Sequence, residues 1–172
     1  MALRSPGRRI SLLIGLVLLS LAAGAAGQAL GGGPRSPGLL GRWLDVEQAW
    51  YGSLKLPPYQ PPGWLFAPVW TLLYVLIGIA AWMVVKIEHP ARRTAIGLLI
   101  AHWFLNVAWT AVFFGLHRPG WALADLLALW IVVFVLIVLC WRMRLVAAIL
   151  LLPYLAWLSY AGLLNAAIVA LN

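Results

Sequence analysis

The residues of this chain that could carry chemistry are few, and most of them stand inside apolar runs. Asn106 and Asn165 are amides flanked by long hydrophobic stretches, and His102 precedes Asn106 by one helical turn. Around them recur indoles and phenols: Trp70 and Tyr74, then Trp109, then Tyr154, Trp157 and Tyr160. An amide in hydrocarbon is costly unless it is hydrogen-bonded, so Asn106 and Asn165 either join helices or meet a ligand's polar group. Indole faces suit a flat apolar molecule, with the ring N–H left for a polar partner. His102 has no second His, Cys, Asp or Glu at ligand spacing. That argues against a metal site and for a hydrogen-bonded interior histidine or a pocket wall. The sequence offers no nucleophile–base–acid set, phosphate loop, cysteine pair or paired carboxylates, so ordinary hydrolytic and phosphoryl-transfer machinery is excluded. The one cysteine, Cys140, cannot form an intrachain disulfide and reads as a small hydrophobe.

Such groups need a scaffold whose solvent is lipid. Of 172 residues, 65% are hydrophobic and 9% charged, against roughly 45–50% and 25% in soluble domains. A bilayer core needs about 20 apolar residues in helix, and stretches near 10–30, 64–85, 94–116, 121–141 and 145–171 qualify. The fold class expected is an all-α membrane protein: a single five-transmembrane-helix bundle with a long first extramembrane loop, 31–63, over one end. That loop carries Trp43, Trp50, Tyr51 and Tyr59 among prolines, which suggests a packed cover rather than a free linker. Anchoring at the membrane interface is the plainer reading of the same aromatics. The first span also resembles a signal peptide, with Arg4, Arg8 and Arg9 ahead of it. Its uncharged stretch exceeds the usual 7–15 residues of such segments and favours a retained helix.

The formal charge of +8 is thinly spread between apolar runs, which excludes a nucleic-acid surface. With the amino terminus cytoplasmic, Arg4, Arg8, Arg9, Lys86, Arg92, Arg93, Arg142 and Arg144 lie inside. Arg35, Arg42, Lys55 and Arg118 lie outside, and the excess supports that orientation. Projected at 100° per residue, the third span separates two faces. Gly97, Ala101, Ala108 and Gly115 form a strip of small residues suited to close helix–helix approach. His102, Asn106, Trp109 and Phe113 fall on another face, toward a protein interior or cavity.

Three ordered blocks then carry a resemblance. The first is Trp50-Tyr51-Gly52-Ser53-Leu54-Lys55-Leu56-Pro57, followed by Pro61-Pro62, Phe66, Pro68-Val69-Trp70 and Leu73-Tyr74. The second is Leu105-Asn106 through Trp109-Thr110 to Phe113-Phe114-Gly115, and the third runs from Pro153-Tyr154 and Trp157 to Leu164-Asn165. These resemble the signature blocks of the TspO/MBR family of tryptophan-rich membrane proteins. The resemblance implies a five-helix bundle, usually homodimeric, with a pocket under the first long loop and a retained first helix. Family members bind porphyrins and other flat hydrophobic ligands, and animal members also bind cholesterol. By motif position, Tyr51 and Pro61 lie on the lid, Trp70, Asn106, Trp109, Thr110 and Trp157 line the pocket, and Asn165 is nearby.

The chain departs from the pattern in places. The family's Lys-Pro is Leu56-Pro57 here, its usual Gln before the second block is His102, and the loop gains residues 31–41. The carboxyl-terminal cholesterol-type pattern is lacking after Asn165, which lowers the expectation of sterol binding. The leading expectation is a receptor, sensor or transporter for tetrapyrroles such as protoporphyrin IX or a haem-like ring, with no required cofactor. Its broad apolar plane would stack on Trp70 and Trp157, and Asn106, Thr110, His102 and Lys55 would take its polar groups. An enzyme for light-dependent porphyrin degradation through Trp70 and Trp157 is the alternative, and a structural partner whose tryptophans only pack is the third. The expected partners are a hydrophobic small molecule, the bilayer of a bacterial plasma membrane and a second copy of the chain through the small-residue strip.

Overall fold

A computed structural model describes residue 11, residues 13–18 and residues 50–172. Among these, four helices are long and apolar enough to cross a membrane. Helix α1 (Phe66–Lys86) is led by a 3-10 turn (Gly63–Leu65), and α2 (Arg92–Thr110) runs into a π turn (Ala111–Gly115). Helices α3 (Pro119–Met143) and α4 (Leu145–Leu171) complete the set, and no strand occurs among the described residues. The all-helical membrane architecture expected from composition is therefore present. With no water in the bilayer core, helices satisfy their own backbone groups, which is why this composition folds so. The signals at the ends are local. Pro119 opens α3, where its missing N–H costs nothing. Lys86 and Arg142 sit in the last turns of α1 and α3, where cations oppose the helix dipole.

The α3–α4 pair packs most extensively, α2 lies along α3 and α1 lies along α4. Contact between α1 and α2 is sparse. The core is built from Ile77 and Val84 on α1, Leu129, Val133 and Leu136 on α3, and Leu151 and Leu158 on α4. Ala122, Cys140, Ala147 and Ala148 have no exposed surface, the mark of backbones in close approach. Trp64, Phe104 and Trp121 point outward, as side chains that meet lipid or its interface do.

Residues 13–18 are helical and cross α1 at Gly78. A Cβ on Gly78 would lie 2.8 Å from the Val17 Cα, so only glycine permits this approach. The remaining residues of the first span, and loop residues 31–49 with Arg35, Arg42 and Trp43, lie outside the described residues. So do Arg4, Arg8 and Arg9. The five-helix count and the first part of the loop therefore remain expectations.

The described part of the loop opens with a helical turn at residues 50–53 and is tied to the carboxyl-terminal half of α4. Asn172 holds it from α4: its Oδ1 accepts from the Lys55 N–H at 2.9 Å and its Nδ2 donates to the Lys55 carbonyl at 3.2 Å. Tyr160 adds a second tie, its hydroxyl donating to the Tyr59 carbonyl at 2.6 Å. Pro57 is buried beneath this segment.

Candidate functional site

Where α1 and α2 fail to pack closely, aromatic rings and one amide fill the space. Trp70 and Tyr74, one turn apart on α1, stack at 5.2 Å between centroids. Trp70 meets Trp157 of α4 edge-on at 6.3 Å and 84°, and Trp157 reaches Phe66 and Tyr160. Tyr74 stacks on Trp103 of α2 at 5.9 Å and 24°. The result is a continuous aromatic wall from the amino-terminal part of α1, across α4, to α2. Trp70 and Trp157 are half-buried, so ring surface stays open to a partner.

Asn106 sits at the centre of this wall. The Tyr74 hydroxyl donates to Asn106 Oδ1 at 3.1 Å, and Asn106 Nδ2 donates to the Tyr154 hydroxyl at 3.1 Å. One amide thus ties α1, α2 and α4 where apolar packing is thinnest. Of the two roles open to Asn106 from sequence, the bundle uses the interhelical one, and both polar atoms of its side chain are engaged. Thr110 is likewise committed, its hydroxyl donating to the Asn106 carbonyl one turn back at 3.2 Å. Asn165 accepts from the Trp109 indole N–H at 3.2 Å and donates to the Pro119 carbonyl at 2.8 Å. It therefore joins α4 to α2 and to the start of α3.

His102 lies in the same cluster. It is 1% exposed, and no side chain among the described residues partners either ring nitrogen, the Leu99 carbonyl one turn back being the polar group beside the ring. Its ring packs edge-on against Trp103 at 4.6 Å and Tyr154 at 5.3 Å. It is an interior histidine set among aromatic rings. Among the described residues no group of three or more His, Cys, Asp or Glu could hold a metal ion.

The remaining sequence candidates form a second cluster at the carboxyl-terminal end of α2. Trp109 stacks on Phe113 at 5.3 Å, while Tyr51 meets Phe113 and Phe114 at 6.2 and 5.8 Å. Trp50 lies flat on His117 at 4.3 Å and 16°. His117 holds φ at 53°, a left-handed conformation that closes the π turn. The Leu116 N–H reaches the Ala111 carbonyl, and the Arg118 N–H reaches that of Val112. Burial raises the Tyr51 phenol above its usual pKa, so it stays neutral at physiological pH. Pro61 is half-buried between the two clusters' segments of chain. The structure thus brings Trp70, Trp157, His102 and Asn106 together, and places Tyr51, Trp109 and Phe113 in a neighbouring group.

Tyr74, Trp103 and Tyr154 belong to the first cluster though sequence reasoning did not select them as site residues. Their spacing was available: Tyr74 follows Trp70 by four residues and Tyr154 precedes Trp157 by three, and both intervals share a helix face. Trp103 gave no such signal, because the ring it stacks on, Tyr74, lies on another helix.

Comparison with known proteins agrees with this architecture. The TspO/MBR family profile matches residues 13–171. "Protein CrtK" of Rhodobacter capsulatus is 38% identical over 128 residues, covering 72% of this chain and 79% of that protein. "Tryptophan-rich protein TspO" of Archaeoglobus fulgidus is 40% identical over 137 residues, 78% of this chain and 89% of that protein. "Translocator protein" of Homo sapiens is 38% identical over 119 residues, 67% of this chain and 70% of that protein. With four apolar helices, an aromatic wall on α1, α2 and α4, and a profile match over nearly its whole length, this integral membrane chain belongs to the TspO/MBR family.

Proposed function

We propose that this protein is a membrane receptor, sensor or carrier that binds a flat hydrophobic ligand of the porphyrin class among the helices. The observation that carries this reading is the half-buried edge-on pair of Trp70 and Trp157, at 6.3 Å, beside Tyr74 and Trp103. Ligand sites are mostly apolar and aromatic with a few polar groups. Here the ring nitrogens of His102, which no side chain among the described residues partners, are the polar atoms left over, since Asn106, Thr110 and Asn165 already serve the bundle. Tyr51 and Pro61 would cover the ligand from the loop. A second copy of the chain would pack against the strip of Gly97, Ala101 and Ala108. A Cβ on Gly97 would meet nothing within 4 Å inside this chain, which leaves room for a neighbour. A π turn advances less angle per residue than an α turn, so Gly115 is carried off that strip.

The test is a dark titration of the detergent-purified chain with protoporphyrin IX, read by tryptophan quenching. Saturable quenching is expected, with the affinity of Trp70→Ala and Trp157→Ala lowered about three- to tenfold for each lost aromatic contact. Asn106→Ala is a poor probe, because it strands two buried hydroxyls and perturbs the bundle itself. Unsaturable quenching, equal in all variants, would mean partitioning into micelles and would favour a purely structural role for the tryptophans. The Trp70–Trp157 contact also favours a second reading, light-dependent porphyrin degradation. Illumination of the same complexes would then bleach the porphyrin bands, and the loss would slow in either variant.

A further inference from the structure

The opposite end of the bundle from the aromatic wall holds an open cleft of about 530 Å³ at the α1–α2 corner, lined by Glu88, His89, Pro90, Arg92 and Arg93. We infer that this cleft is a headgroup site for an acidic glycerophospholipid, with Arg92 and Arg93 holding the phosphate. The Nε of Arg92 is buried and has no hydrogen-bond partner. Buried donors are partnered in the great majority of cases, and no described residue supplies the acceptor here. Neither arginine is ion-paired among the described residues, although Glu88 lines the same cleft. His89 Nδ1 accepts from the Ala91 N–H at 3.1 Å, which leaves Nε2–H as a further donor. No side chain caps the first turn of α2 and no acidic residue lies in it, so its dipole also favours an anion.

The position selects the kind of anion. The cleft joins the ends of two membrane-crossing helices, at the depth where lipid phosphates lie. Trp82 stands one turn before the end of α1 with the Lys86 ammonium 4.5 Å from its ring centre, an interfacial pairing. Arg142, in the last turn of α3, and Arg144, between α3 and α4, lie at the same end and enlarge the positive field. An arginine fork matches a phosphodiester in shape as well as charge. Glu88 offers the acceptor that a hydroxyl-bearing headgroup such as glycerol uses.

The experiment is native mass spectrometry of the full chain in neutral detergent with equal amounts of phosphatidylglycerol and phosphatidylcholine. The wild type is expected to retain phosphatidylglycerol. Arg92→Gln with Arg93→Gln is expected to lose about 30-fold in its retention, from two cationic contacts. Arg142→Gln with Arg144→Gln, which removes the same charge from the same end, is expected to keep most of it. Arg92→Lys keeps the charge but removes the Nε–H, and is expected to weaken retention measurably. Circular dichroism checks that each variant stays helical. Equal losses in the two double variants, or no effect of Arg92→Lys, would reduce the cleft to diffuse charge attraction and overturn the inference. Displacement by inorganic phosphate at millimolar concentration would do the same, by making free phosphate the ligand.

Discussion

Asn106 shows what a single residue contributes where helices touch poorly. Its bond to Tyr74 joins α1 and α2 where their apolar contact is sparse, and its bond to Tyr154 adds α4 to the same point. Asn106→Ala leaves two buried hydroxyls unpaired and is expected to cost about 1 to 3 kcal/mol, seen as a lowered melting temperature in detergent. Tyr74→Phe costs less in the Asn106→Ala background than in the wild type, because the bond it removes is already gone. Additive losses would show that the two side chains do not share that bond. The need for a partner could be read from sequence, since an amide in an apolar run must be satisfied. The partners could not, because Tyr74 and Tyr154 lie 32 and 48 residues away and are set by packing. His102 reads from sequence either as a hydrogen-bonded interior histidine or as a pocket wall, and its ring neighbour Tyr154 could not be read for the same reason, since it lies on another helix.

The elements were more legible than their contacts. Uninterrupted apolar length marks α1, α3 and α4 directly, and Pro119 marks where α3 starts. The π turn at Ala111–Gly115 left no trace in a run of apolar helix formers, because it arises from how the His117 turn closes on the carbonyls of Ala111 and Val112. Projection of one helix likewise separates its faces without saying which neighbour each face meets. That is why the partners of Trp103 could not be read from its own helix. The crossing at Gly78 gives the element scale its own test. Gly78→Leu must displace Val17, whose backbone and side chain both lie within 3.1 Å of a Cβ built there. Overpacking of this kind costs about 1–3 kcal/mol. The variant is therefore expected to melt lower, and the intact mass of the membrane-extracted protein to include residues 13–18. A mature chain that begins after residue 18, with Gly78→Leu unchanged in stability, would show the first span to be a cleaved segment.

At the scale of the whole molecule, charge distinguishes the two ends of the bundle. Among the described residues Lys86, Arg92, Arg93, Arg142 and Arg144 lie at one end, against Lys55 and Arg118 at the other. Basic residues in short loops are retained on the cytoplasmic side, so the α1–α2 and α3–α4 links are expected to face the cytoplasm. The cytoplasmic leaflet is also rich in anionic lipid, so one orientation serves both topology and the cleft of Arg92 and Arg93. The aromatic wall then opens toward the other side, beneath the segment held by Tyr160 and Asn172. Cysteine labelling tests this arrangement because Cys140, the one native thiol, is fully buried. A membrane-impermeant maleimide applied to intact cells is expected to modify Lys55→Cys and to leave Arg93→Cys untouched until the membrane is opened. Arg144→Cys is expected to follow Arg93→Cys, since both links belong to one end. Labelling of Arg93→Cys from outside, with Lys55→Cys protected, would invert the bundle, turn the aromatic wall toward the cytoplasm and set the headgroup cleft in the opposite leaflet.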